Sequence, residues 1–152
     1  MCASNAAAVL DYVNTQQHVL TDLIRDLVDA ESPSARPETH DNVRRVLRLA
    51  LASVGFESRE TGGSDKPRHV FAKPAKRPRR TPSQLVLGHY DTVWPVGTLA
   101  ERPFRIDGNV VHGPGSFDMK GGLAQLIVAL RAIRDLCLEP PVQPIVCINA
   151  DE

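Results

Sequence analysis

Leu85-Val86-Leu87-Gly88-His89-Tyr90-Asp91-Thr92-Val93 and His112-Gly113-Pro114-Gly115-Ser116-Phe117-Asp118-Met119-Lys120-Gly121-Gly122 are the segments around which this chain is organised. Residues 84–88 form a short run rich in leucine and valine, the pattern of a buried central strand. Residues 123–137 are apolar on nearly every face, with Leu123, Leu126, Ile127, Leu130, Ile133 and Leu136 interleaved with alanines. Such a helix packs against a sheet on one side and is largely covered elsewhere. Pro140 and Pro141 then break the chain, and Ile145-Val146-Cys147-Ile148 reads as a second buried strand running into Asn149-Ala150-Asp151-Glu152. Strand, crossover helix, strand predicts an α/β fold with a mixed, mostly parallel sheet.

Working outward, residues 16–30 carry Leu20, Leu23, Ile24, Leu27 and Val28 at the spacing of an amphipathic helix. Pro33 ends it, because a proline disfavours helical backbone at the residue before it. A second helix is expected from near Thr39, a candidate N-cap, with Val43, Val46, Leu47, Ala50, Leu51 and Val54 facing inward and Gly55 as its left-handed stop. Residues 56–60 and 68–72 read as two strands joined by the turn Thr61-Gly62-Gly63-Ser64-Asp65. Asp107-Gly108 between apolar flanks predicts a hairpin over residues 104–111. The basic run Lys73-Pro74-Ala75-Lys76-Arg77-Pro78-Arg79-Arg80 suits a solvated, extended connector better than a nucleic-acid patch, since it lacks interleaved aromatics for base stacking.

The 152 residues suffice for one domain with a real core, and 42% hydrophobic with 24% charged residues is ordinary for a globular protein. A formal net charge of zero argues for neither a nucleic acid nor an anionic membrane as partner. Cys2, Cys137 and Cys147 are odd in number, and the last two sit in apolar segments, which fits reduced, buried thiols in a cytoplasmic protein. No apolar run approaches the roughly 20 residues that span a bilayer. The first ten residues have no basic region followed by a long apolar one, so no signal peptide is expected.

Chemistry concentrates in three places. His89 and Asp91 are two apart, which in extended chain places both side chains on one face. A neutral imidazole is a good zinc ligand and a neighbouring carboxylate can fix its tautomer, although a capped surface turn has the same sequence. Asp118 lies between glycine-rich pieces that permit unusual backbone angles and close approach of an ion. It reads equally as a turn aspartate capping the following helix. Glu152 lies just past the 145–148 run, and in open α/β sheets ligands collect beyond the carboxyl ends of strands. His89 ends one strand, Glu152 follows another, and Asp118 precedes the helix between them. All three converge on one sheet edge. The glycine pattern matches neither a phosphate loop nor a dinucleotide fingerprint.

These residues resemble the dinuclear zinc peptidase and deacylase family, which includes glutamate carboxypeptidase, acetylornithine deacetylase, succinyl-diaminopimelate desuccinylase and aminoacylases. The family pattern His-x-Asp-Thr/Val-Val, Gly-x-Gly-x-x-Asp-x-Lys-Gly-Gly and Asp-Glu-Glu is matched by His89 to Val93, Gly113 to Gly122, and Asp151-Glu152. The Glu31-Ser32-Pro33-Ser34 turn and the preceding helix also look like the family's opening, and Pro103-Phe104-Arg105 resembles the glutamate carboxypeptidase branch. The resemblance implies a three-layer helix–sheet–helix catalytic domain. It implies two zinc ions, with cobalt as a substitute, His89 as a ligand of one and Asp118 bridging both, with a cis peptide after it. Asp91 would orient His89, and Glu152 would be the general base taking a proton from water. The reaction implied is hydrolysis of an amide bond next to a free carboxylate, in a small molecule or short peptide, by a homodimeric full-length form.

The second glutamate of Asp-Glu-Glu, a later acidic ligand, a distal histidine and the inserted dimerisation domain have no counterpart in residues 1–152. The expectation is therefore the N-terminal portion of the catalytic domain, inactive as an isolated fragment, with a sheet face or edge left exposed. A non-enzymatic binding module using that exposed sheet is the alternative.

Overall fold

The structure, a computed structural model, describes residues 2–62, 67–76 and 80–152, with side chains from residue 6 onward. Helix α2 (Gln17–Asp29) buries Ile24, Leu27 and Val28, three of the apolar positions that its periodicity singles out. It is preceded by α1 (Cys2–Thr15), which the sequence reading did not identify. Helix α3 (Asp41–Ser53) buries Val43, Leu47 and Leu51. Thr39 is not its N-cap. A 3₁₀ turn at Pro37–Thr39 intervenes, and the Thr39 hydroxyl donates to the Arg36 carbonyl instead. Gly55 adopts φ +84°, the left-handed stop that its position after α3 calls for.

Strands β1 (Phe56–Thr61) and β2 (His69–Pro74) pair antiparallel, with Phe56 opposite Pro74 and Thr61 opposite His69. Residues 63–65 of the expected turn and 77–79 of the basic run lie outside the described residues. Strand β3 (Ser83–His89) leads through the short helix α4 (Thr98–Glu101) to a hairpin of β4 (Arg105–Asp107) and β5 (Val110–His112), where Gly108 has φ +56°. An irregular π-type turn (Ser116–Lys120) opens α5 (Gly121–Asp135), and β6 (Gln143–Asn149) follows.

The main sheet has the order β1-β2-β6-β3. It is mixed, as expected, but parallel in only one of its three pairings, β3 with β6. The β1–β2 hairpin contributes an antiparallel pairing of its own and, through β2, another to β6, which outweighs the single strand–helix–strand unit.

One face of this sheet, with Phe56, Val70, Ala72, Val146 and Ile148, joins a single core with Leu27, Val43, Leu47, Leu51, Leu123 and Ile127 of the helices. On the opposite face Leu85 and Leu87 are 60% and 61% exposed. Within the described residues the arrangement is therefore two-layered, because α2 packs against both α3 and α5 over the same face. Cys137 also departs from expectation: it follows α5 at φ +51° and is exposed, and Cys147 is half-buried. Both thiols are free.

Candidate metal centre

The parallel pairing of β3 and β6 brings His89 level with Asn149, so both strands end at the same edge. Tyr90, fully buried, continues the register by donating its N–H to the Asn149 carbonyl and its hydroxyl to the Arg68 carbonyl. His89 and Asp91 do share one face. The His89 Nδ1 lies 3.1 Å from the backbone carbonyl of Asp91 and 3.4 Å from its Oδ1. The nearer acceptor is thus the main chain, and the Asp91 carboxylate has further work. It accepts the Ser34 hydroxyl at 2.5 Å and the Glu152 N–H at 3.2 Å. Only 1% of Asp91 is exposed, so this carboxylate ties three chain segments together behind the imidazole.

Ser34 belongs to a turn whose structural reach the sequence reading underrated, treating it first as a helix stop. The Ser32 hydroxyl donates to the Tyr90 carbonyl, Thr92 N–H to the Ser32 carbonyl, and Ser34 N–H to the Thr92 carbonyl. The Glu31 carboxylate accepts the N–H groups of Gly97 and Leu99 at 2.9 and 3.1 Å. These hydrogen bonds lace residues 31–34 to the loop that follows β3. A polar turn flanked by a proline is the signal that could have found them.

Asp118 is carried on the irregular turn before α5. The Asp118–Met119 peptide is cis, as the resemblance implies. Gly115 sits at φ +70°, and a Cβ there would lie 2.5 Å from a methyl of Thr92, so only glycine lets this turn approach the β3 loop. The Met119 sulfur accepts the His89 N–H at 3.4 Å. Lys120, which the motif includes but to which the sequence assigns no role, is 1% exposed and donates to the Ala30 carbonyl at 2.9 Å. Burial depresses its ammonium to about 8, opposed by Glu31, Asp29 and Asp91.

The result is a convergence of three segments on one imidazole nitrogen. The Asp118 Oδ1 is 3.1 Å and the Glu152 Oε2 3.0 Å from His89 Nε2. One ligand atom from each of His89, Asp118 and Glu152 lies within 4.8 Å of the others. If Nδ1 carries the proton toward the Asp91 carbonyl, Nε2 presents a lone pair to two carboxylates. That arrangement could hold a cation between them. One nitrogen and two carboxylate oxygens form a donor set that a zinc-type divalent ion accepts. His89 is buried, whereas the Asp118 and Glu152 side chains are 72% and 65% exposed and face a cleft of about 300 Å³ that Trp94, Ser116 and Phe117 also border. The wall nearest the sheet is buried and the opposite one open.

Residues 85–152 match the family model described as Peptidase family M20/M25/M40. Carboxypeptidase G2 of Pseudomonas sp. (strain RS-16) is 37% identical over 139 residues, covering 90% of this chain and 33% of that protein. A succinyl-diaminopimelate desuccinylase of Rhizorhabdus wittichii is 32% identical over 96 residues, covering 59% of this chain and 25% of its own length. Among solved structures, human carnosine dipeptidase 1 superposes with a TM-score of 0.79 at 19% identity, over 95% of this chain and 34% of that one. The chain therefore spans a quarter to a third of the length of these curated relatives.

Proposed function

We propose that the chain carries part of a domain of peptidase family M20/M25/M40, whose model residues 85–152 match, and that it supplies one half of a dinuclear zinc site for amide hydrolysis. The observation that supports this reading is the meeting of His89, Asp118 and Glu152 at one nitrogen, from three segments far apart in sequence. His89 and Asp118 would hold the metal, zinc by preference and cobalt as a substitute. When bound, such an ion lowers the pKa of water toward neutrality and polarises a carbonyl.

The chain's own residues do the rest. Asp91 holds the His89 ring and the Glu152 backbone in one frame, so that ligand and base keep a constant separation. The Glu152 carboxylate takes a proton from the attacking water and returns it to the leaving amine, as a positioned general base and acid. We take the substrate to be an N-acyl amino acid or a short peptide cleaved beside a free carboxylate, and the setting to be cytoplasmic. The remaining ligands and the dimerisation domain would come from the part of the relatives that residues 1–152 do not cover, in a homodimeric full-length form. No helix among the described residues is long and apolar enough to cross a membrane.

The test is hydrolysis of N-acyl amino acids by the complete gene product. Zinc or cobalt should restore activity after chelation, and Glu152→Gln should reduce kcat by at least about a hundredfold with the metal still bound. A variant that keeps its rate would remove Glu152 from the role of base.

A further inference from the structure

Beyond the metal cleft, the segment that carries Glu152 is held from the side away from β3. Strand β2 pairs with β6 through Val70 opposite Ile148, Phe71 opposite Cys147 and Ala72 opposite Val146. Carried two residues further, that register sets Arg68 opposite Ala150. The Arg68 carbonyl, however, accepts the Tyr90 hydroxyl at 2.8 Å. The Ala150 N–H donates instead to a side chain, the Nδ1 of His69, at 3.3 Å. Ala150 is fully buried, so bulk water cannot replace that acceptor.

An imidazole nitrogen that accepts an N–H carries its lone pair there, which leaves the proton of the neutral ring on Nε2. The Asp151 Oδ1 stands 3.6 Å from the same Nδ1, beyond hydrogen-bond reach, so the backbone donor is the nearer partner. Two residues on, the Glu152 N–H donates to the Asp91 carboxylate at 3.2 Å. One residue back, the Asn149 carbonyl accepts the Tyr90 N–H at 3.0 Å. Residues 149–152 are therefore gripped alternately from the β3 side and the β2 side, and the β2 grip is His69. Its side chain does not border the cleft that His89, Asp118 and Glu152 face.

We propose that His69 is a positioning residue, which sets where Glu152 stands at the cleft by holding the Ala150 N–H. It touches no substrate and transfers no proton. The part that Glu152 plays as general base rests on the hydrolase reading; the grip of His69 on residues 150–152 does not. A side chain acts in this way only through an acceptor at the place of Nδ1. The amide oxygen of asparagine can occupy that place, glutamine puts its amide one bond further out, and leucine has no acceptor.

The complete gene product is compared with His69→Leu and His69→Asn at about pH 8, where an ordinary imidazole is neutral. His69→Leu should lower kcat by about tenfold, through a displaced base, while KM and the affinity for zinc against a competing chelator stay within about twofold. Hydrogen exchange at residues 150–152 should quicken in the same variant. His69→Asn should restore both kcat and slow exchange. His69→Gln should behave as His69→Leu, and takes its place if that variant does not fold. Parental kcat and exchange in His69→Leu, a loss that asparagine does not restore, or an equal fall in zinc affinity would overturn the proposal. An active parent whose rate and exchange ignore all three substitutions removes His69 alone. If the parent hydrolyses nothing, the hydrolase reading fails alone, and the exchange pattern decides the grip.

Discussion

Asp91 is the residue on which the candidate site turns. His-x-Asp suggests a carboxylate that orients a histidine, and the structure gives that carboxylate two other partners, the Ser34 hydroxyl and the Glu152 N–H. Removing one partner of a buried group leaves that group short of a hydrogen bond, at about 1–3 kcal/mol. Ser34→Ala should leave the fold intact but weaken metal binding by about tenfold, because groups behind a ligand fix its orientation. Titration against a competing chelator checks this, and unchanged affinity would show that Asp91 is held without the hydroxyl. His40 offers a second residue-scale expectation. It is fully buried, its Nε2 lies 2.8 Å from the Pro33 carbonyl, and its ring meets Tyr90 edge-on. Burial pushes its imidazole below the ordinary 6.5, with Arg44 and Lys120 adding to the effect and Pro33 and Asp91 opposing it. The unfolded chain then binds more protons than the folded one as pH falls through 6.5, so this residue makes stability drop on the acid side. Urea unfolding of His40→Gln across that range should show a flatter acid limb than the parent.

At the scale of elements, the turn after α2 does more than stop a helix. Pro33 explains why α2 ends, yet the side chains around it are spent on the loop after β3 and on α4. Glu31 accepts otherwise unpaired N–H groups at the start of α4, the function of a cap supplied from a remote segment. Glu31→Ala should therefore cost about 1 kcal/mol in stability and loosen residues 96–101 in hydrogen exchange. A loss of stability without faster exchange there would contradict this assignment. Thr39 failed as a predicted N-cap for a related reason. A threonine can serve its own turn as well as a helix start, and sequence spacing does not show which carbonyl lies nearer. The glycines were more legible: Gly55 and Gly108 occupy the left-handed positions that their neighbours call for.

For the whole molecule, the uncovered sheet face is the feature with the largest consequence. Leu85 and Leu87 stand in an edge strand with most of their surface in water. Apolar faces and open edges of this kind promote association. Leu87→Glu should change the unfolding free energy by less than about 0.5 kcal/mol while reducing self-association in sedimentation. A loss of several kcal/mol would mean that the face is covered in solution. The sequence alone determined the βαβ unit and the mixed sheet, and it named His89, Asp118 and Glu152 as candidates, because hydrophobic period and turn chemistry are local properties. Tertiary structure alone decided that the helices share one face, that Ser34 and Glu31 brace the site, and that Arg102 rests on Trp94. Those are contacts between segments distant along the chain. Which partner a buried carboxylate or an exposed guanidinium finds depends on where the packed elements place it, and no pattern within a single segment carries that information.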